Sequence, residues 1–194
     1  IPYTGDVVGN ERGKVVDGKK QGVWEREFSG GYWIEKVNYI DGKKEGKLIY
    51  FTEKNPDLVR YILNYTKDKK NGKKFQYNEK GELWEKGQYK NGLRVGIWYR
   101  YNYENTKQLT HKSSYKDGKK HGEFLEYFKN GGLWLRTNYK NGKLHGNTIR
   151  YFRNGKIESE SNYKNGEYHG VSKTYYENGQ VEYEWKYKNG KLHG

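Results

Sequence analysis

Large apolar side chains recur on alternate positions in short runs: Ile49 and Phe51, Phe75 and Tyr77, Tyr99 and Tyr101, Leu125 and Tyr127, Ile149 and Tyr151, with Lys173 and Tyr175 at the matching place in the last run. A period of two over so few residues predicts half-buried strands. A second run follows each first one. It carries Leu133, Leu135, Thr137 and Tyr139 in one case and Val181, Tyr183, Trp185 and Tyr187 in another, and always ends on a tyrosine, at 39, 65, 89, 115, 139, 163 or 187. Polar segments such as KNGG at 129–132, RNGK at 153–156 and ENGQ at 177–180 divide the two runs. Helices are disfavoured, because glycine or proline recurs too often for an apolar stripe to last three turns and alanine is absent.

The reversals between runs keep a regular beat. Gly22, Gly46, Gly72, Gly96, Gly122, Gly146 and Gly170 stand 24 or 26 residues apart, and Gly194 continues the series. Four residues before each stands another glycine, from Gly18 to Gly190, replaced once by Asp68. Asn-Gly and Asp-Gly in the motif call for positive φ and mark hairpin turns, so the seven closing glycines are read as structural turn glycines. Each repeat is then one β-hairpin, and a lone hairpin cannot bury enough surface to stand by itself. The predicted fold is all-β: an elongated repeat array of about seven antiparallel hairpins forming one twisted, extended sheet. A lead-in at 1–13 precedes an array at 14–194, divided into 14–39, 40–65, 66–89, 90–115, 116–139, 140–163, 164–187 and a partial copy at 188–194. Two repeats gain two residues, around 53–58 and 104–109, where Pro56 predicts a loop. The first repeat has Glu25 and Glu27 at the expected apolar places and Trp24 and Phe28 one step away, which predicts a register shift or an atypical cap.

Composition changes this picture in one respect. Only 32% of the 194 residues are hydrophobic, yet 21 are Tyr and 6 are Trp, so any core is built from amphipathic rings. The net charge of +14 is spread along the chain and favours anionic partners without specifying one. There is no Cys, which excludes a disulfide framework and a thiolate site. No stretch approaches the about 20 consecutive apolar residues of a spanning helix. The chain opens on IPYTGDVVGN and contains no Met, which points to a removed leader and an exported or cell-surface protein, a cytoplasmic setting being the alternative.

The period of about 24, the Y-x-N-G-K-x-x-G turn, the aromatic residue five places after the second glycine and the internal N-G together resemble the MORN repeat (membrane occupation and recognition nexus) in its bacterial variant, over about residues 14 to 194. Asp68, the first repeat and the missing Y-x-G-x-x-x opening depart from the pattern. The resemblance implies an extended hairpin array for protein contacts, in some members proposed for lipid head groups, with no catalytic activity of its own.

Chemistry is sparse. Catalysis needs unlike groups converging on one point, whereas a repeat presents the same group at each step. His121, His145, His169 and His193 precede closing glycines and form a column too widely spaced to share one metal ion, so they are read as turn-packing residues. Neither a phosphate loop nor a nucleophile elbow occurs. No catalytic residue, metal or cofactor is assigned. Rings of the opposite parity, Trp84, Trp98, Phe124, Trp134, Phe152 and Tyr176, form the candidate binding surface, because a one-layer sheet cannot bury both faces. The expected function is a non-enzymatic scaffold with a protein partner. Alternatives are choline-like ligands held between aromatic hairpins and anionic phospholipid or glycan surfaces. Nucleic acid ranks below these, and homo-association through a terminal sheet edge is a further expectation.

Overall fold

The computed structural model describes residues 4–7, 10–28, 32–52, 55 and 57–193, and every regular element among them is a strand. Pro56 and residues 53 and 54 of its expected loop lie outside the described residues. The first strands of the repeats are Lys19–Phe28, Lys43–Phe51, Gly72–Tyr77 (preceded by Lys69–Lys70), Leu93–Tyr101, Lys119–Tyr127, Lys143–Tyr151 and Glu167–Tyr175. The second strands are Tyr32–Ile40, Val59–Thr66, Leu83–Lys90, Leu109–Lys116, Leu133–Lys140, Ile157–Lys164 and Val181–Lys188. The lead-in joins the sheet: Gly5–Val7 pairs with Glu11–Val16, which pairs with Lys19–Phe28. Two units divide the chain, Ile1–Arg94 and Val95–Gly194, and within each the strands pair antiparallel in chain order.

Turn chemistry follows the residues. In Asn141-Gly142 both φ values are positive, 54° and 86°, as a two-residue hairpin loop with the right twist requires. Lys67-Asp68 adopts the same form at 49° and 66° without a glycine. The closing glycines lie elsewhere than the sequence places them. They sit four residues past the reversing pair, inside the first strand, where the register slips: Ser113 faces Phe124 and Tyr115 faces Lys120, so three residues oppose one. Gly122 there has φ +92°, a bulge conformation that a Cβ disfavours. Bonds between successive tips follow, such as Gly142 N–H to Lys120 O at 2.8 Å and Gly42 N–H to Lys20 O at 2.9 Å.

The core of the first unit is the row two residues past each closing glycine and its cross-strand partners. Trp24 pairs with Val37, and Leu48 pairs with both Val37 and Leu63. These four and Val15 are buried, with Tyr39, Tyr50, Tyr61, Tyr65 and Tyr89 packed against them. In the second unit the same row holds Trp98, Ser113 and Phe124, all buried, then turns polar at Thr137 and Ser172. Two expectations are corrected here. The first repeat is in register, since Trp24 occupies the place of Leu48, Trp98 and Phe124. The alternating residues at the third and fifth places, such as Ile49 and Phe51, are half-buried and face away from this row.

Candidate interaction surface

The inner row is closed by the chain's own tips. Lys20 Nζ lies 4.0 Å above the Trp24 ring and 5.3 Å from Tyr39, while Tyr39 meets Trp24 edge-on at 6.3 Å. Phe124 has the same arrangement with Lys120 at 3.8 Å and Tyr139 at 5.8 Å. Each ring is therefore capped by an ammonium and a tyrosine from the hairpin tip. Phe124, 6% exposed, is therefore a core residue, as is Trp98, 3% exposed with Tyr115 edge-on at 6.1 Å, and neither belongs to the binding surface that their parity suggested. Trp84 and Phe152 are half-buried, whereas Trp134 and Tyr176 are exposed. Trp134 sits at a bulge with its ring 6.4 Å from Phe128, over which Arg153 lies at 5.5 Å. Phe152 and Tyr176 open the loops that correspond to Phe128, each closed by a backbone bond such as Phe152 N–H to Lys156 O at 2.8 Å. The six residues thus do not form one surface.

The outer face offers a more continuous one. In the first unit Ile49, Ile62 and Phe75 stand side by side on three adjoining strands. Lys47, Asn64 and Lys73 occupy the next row, Phe51 and Tyr77 the row beyond. Ile62, Asn64, Phe75 and Tyr77 with Lys47 and Lys73 line an open groove of about 470 Å³. Asn64 is held in place by donating from Nδ2 to Lys73 O at 2.8 Å. In the second unit the fifth-place row pairs a tyrosine with an aliphatic residue at every step: Tyr101 with Leu109, Tyr127 with Leu133, Tyr151 with Ile157 and Tyr175 with Val181. Leu109 and Tyr127 line a second open groove with Lys107, Gln108 and Lys129. The alternation that reads as core in the sequence is this outer stripe, and the charges interspersed in its third-place row, Glu25 and Lys173, are the signal that it faces solvent.

Electrostatics on the outer face is mostly paired. Glu25 bonds Lys36 at 2.7 Å and also meets Arg12, and these cations hold its carboxyl below its ordinary value against the opposing effect of burial. Arg136 meets Glu123 at 3.0 Å and Lys173 meets Glu184 at 3.1 Å. Such exposed pairs contribute about 0–1 kcal/mol each. The histidine column has a structural use: Nδ1 of His121 accepts from Asn141 N–H, and Nδ1 of His145 from Asn165 N–H, both at 3.4 Å. Among the described residues no three His, Asp or Glu side chains come together as a metal site.

Residues 120–141, 144–165 and 168–192 match the family described as MORN repeat variant. No curated protein matches the chain. MORN repeats generally occur in binding or scaffold proteins and are typically non-enzymatic. Each matched segment spans the bulge glycine, Gly122, Gly146 or Gly170, and the inner-row residue two places on, Phe124, Thr148 or Ser172.

Proposed function

We propose that this chain is a non-enzymatic scaffold that binds another protein along its outer face. The observation that carries the reading is the apolar stripe of Ile49, Ile62, Phe75, Phe51 and Tyr77, half-exposed on an open sheet and bordered by Lys47 and Lys73. A half-exposed aromatic and aliphatic strip with a cationic border is the composition of a protein contact site, and the border favours an acidic partner. The choline-like alternative has less support, because the notches where rings converge already hold the chain's own ammonium groups, Lys20 and Lys120. Photo-crosslinking residues placed at Phe75 on the outer face and at Leu48 on the inner row test the reading in the source cells. Adducts are expected from position 75 and not from position 48, and they should vanish on Lys47→Glu with Lys73→Glu. Equal yields from both positions would refute it.

A further inference from the structure

Three hairpin tips of the second unit carry opposed lysines. Register sets Lys116 opposite Lys119, Lys140 opposite Lys143 and Lys188 opposite Lys191 at the mouths of their turns. Like charges directly opposed on a hairpin weaken it. The first unit avoids this arrangement, pairing Val16 with Lys19, Ile40 with Lys43 and Thr66 with Lys69. These six lysines are exposed, and among the described residues none of them makes an ion pair, although Lys112, Arg136 and Lys173 of the same unit do. Only the tip between them is balanced, with Lys164 opposite Glu167.

These tips are held relative to one another. Gly142 N–H donates to Lys120 O, Gly166 N–H to Leu144 O and Gly190 N–H to Tyr168 O, at 2.8 to 2.9 Å. Two strands separate one tip from the next, so the Lys116–Lys119 and Lys140–Lys143 pairs stand about 10 Å apart, and the Lys188–Lys191 pair follows about 20 Å further on, past the Lys164–Glu167 tip. A small anion would meet one pair; a linear polymer can meet several at once, and the fixed spacing lowers the cost of engaging each further pair. Segments 116–120 and 140–144 read KDGKK and KNGKL, with no arginine fork for phosphate, and the tyrosines that precede them, Tyr115 and Tyr139, are engaged edge-on by Trp98 and Phe124.

We propose that the lysine tips of the second unit bind a linear acidic polysaccharide, whose carboxylate or sulfate groups lie along successive tips. This site uses the turn end of the hairpins and is separate from the outer stripe assigned to a protein partner.

Fluorescence anisotropy with labelled heparin as probe, and polygalacturonate as the carboxylate-only competitor, tests the proposal on the full chain. Lys116, Lys119, Lys140 and Lys143 are changed together to Gln, against a control in which Lys19, Lys43, Lys69 and Lys90 of the first unit are changed to Gln. The tip variant is expected to weaken heparin binding about tenfold or more and to flatten its salt dependence, while the control changes it less than about twofold. Relief of like-charge opposition should leave the unfolding midpoint of the tip variant equal or higher. If that variant misfolds, Lys140→Glu alone, which imitates the Glu–Lys opposition of the next tip, should still weaken binding with the midpoint retained. Equal losses in both four-lysine variants would show a response to net charge alone and overturn the site. So would tighter binding to an oligonucleotide, or to phosphatidylserine vesicles, than to either polymer.

Discussion

Gly13 lies under the indole of Trp24, and a Cβ built there would stand 2.5 Å from Cδ2 and 2.6 Å from Cε2 and Cγ. Those are ring atoms at the centre of the side chain, so no rotation of a flexible end relieves the overlap. Trp24 itself is pinned. Its Nε1–H donates to Lys14 O at 3.2 Å, Lys20 caps its face and Tyr39 abuts its edge. Overpacking of this kind costs about 1–3 kcal/mol, against which alanine recovers about 0.5–1 kcal/mol over glycine in a strand. Gly13→Ala should therefore destabilise by about 1–2 kcal/mol. The cost falls locally, because Glu11–Val16 is a short strand that can yield before the hairpins beyond it do. Hydrogen exchange is the fitting assay: amide protection in Glu11–Val16 should fall about tenfold, with protection in Val59–Thr66 unchanged. The background decides the sign. In Trp24→Leu, which reproduces the side chain at Leu48, the alanine methyl has room, and adding Gly13→Ala should raise protection. An alanine that is neutral or stabilising beside the intact Trp24 would refute the packing argument, as would one equally harmful in both backgrounds.

Two further outcomes follow from the first unit. Lys74 and Glu85 form a buried ion pair at the inner row, with side chains 13% and 5% exposed. Lys74→Leu alone should cost about 3–5 kcal/mol by taking the ammonium from a buried carboxylate, whereas Lys74→Leu with Glu85→Leu should return to within about 1 kcal/mol of the parent in denaturant unfolding; a double variant as unstable as the single one would count against the pair. Burial, then the field of Glu35 and the stacked ring of Tyr50, pushes the Tyr61 phenol from 10.0 up to about 12. The protonated phenol is favoured on folding, so its contribution is complete below pH 10 and is lost as pH rises from 10 to about 12. Tyr61→Phe should flatten that part of the stability profile in unfolding followed by circular dichroism, and an unchanged slope would place the titration elsewhere.

The beat of glycines made the hairpins legible, because the conformations involved admit few residues: Asn141-Gly142 can hardly be anything but a tight turn. The third turn shows the limit of that logic, since Lys67 and Asp68 take positive φ without glycine. There Lys67 N–H donates to Glu45 Oε2 at 2.9 Å and Asp68 Oδ1 accepts from Lys44 N–H at 2.8 Å, bonds to the neighbouring tip that offset the strain. The buried face was not legible. Both parities of the strands carry rings, and period-two alternation says which residues share a face without saying which face is covered. Lys20 on Trp24 and Lys120 on Phe124 settle it, and both contacts depend on the bulge that slips the register beyond each turn. Pairing of large with small across that row, Trp98 and Phe124 flanking Ser113, could have pointed to it only once the register was known. The candidate surface failed for the same reason at Trp98 and Phe124. Trp134 remained exposed because a bulge leaves it without a cross-strand partner.

The inner row also explains how one repeat can carry two kinds of surface. Trp24, Val37, Leu48 and Leu63 form an apolar row in the first unit, while in the second the row passes from Phe124 to Thr137, whose Oγ1 meets Thr148 Oγ1 at 2.5 Å, and on to Ser172. Thr137 is 1% exposed, so burial persists after the apolar side chains have gone. What stays constant between the units is the tip-to-tip hydrogen bonding and the tyrosine that ends each second strand. Contacts between neighbouring repeats through backbone groups and rings are thus common to both units, whereas the outer stripe and the residues opposed at the turns differ between them. Those positions are free to change from repeat to repeat. That freedom allows the apolar Ile49, Ile62 and Phe75 row in one unit and opposed lysines in the other, and it accounts for substitutions at Lys116 or Phe75 being expected to alter binding while substitutions at Gly13 or Lys74 alter folding.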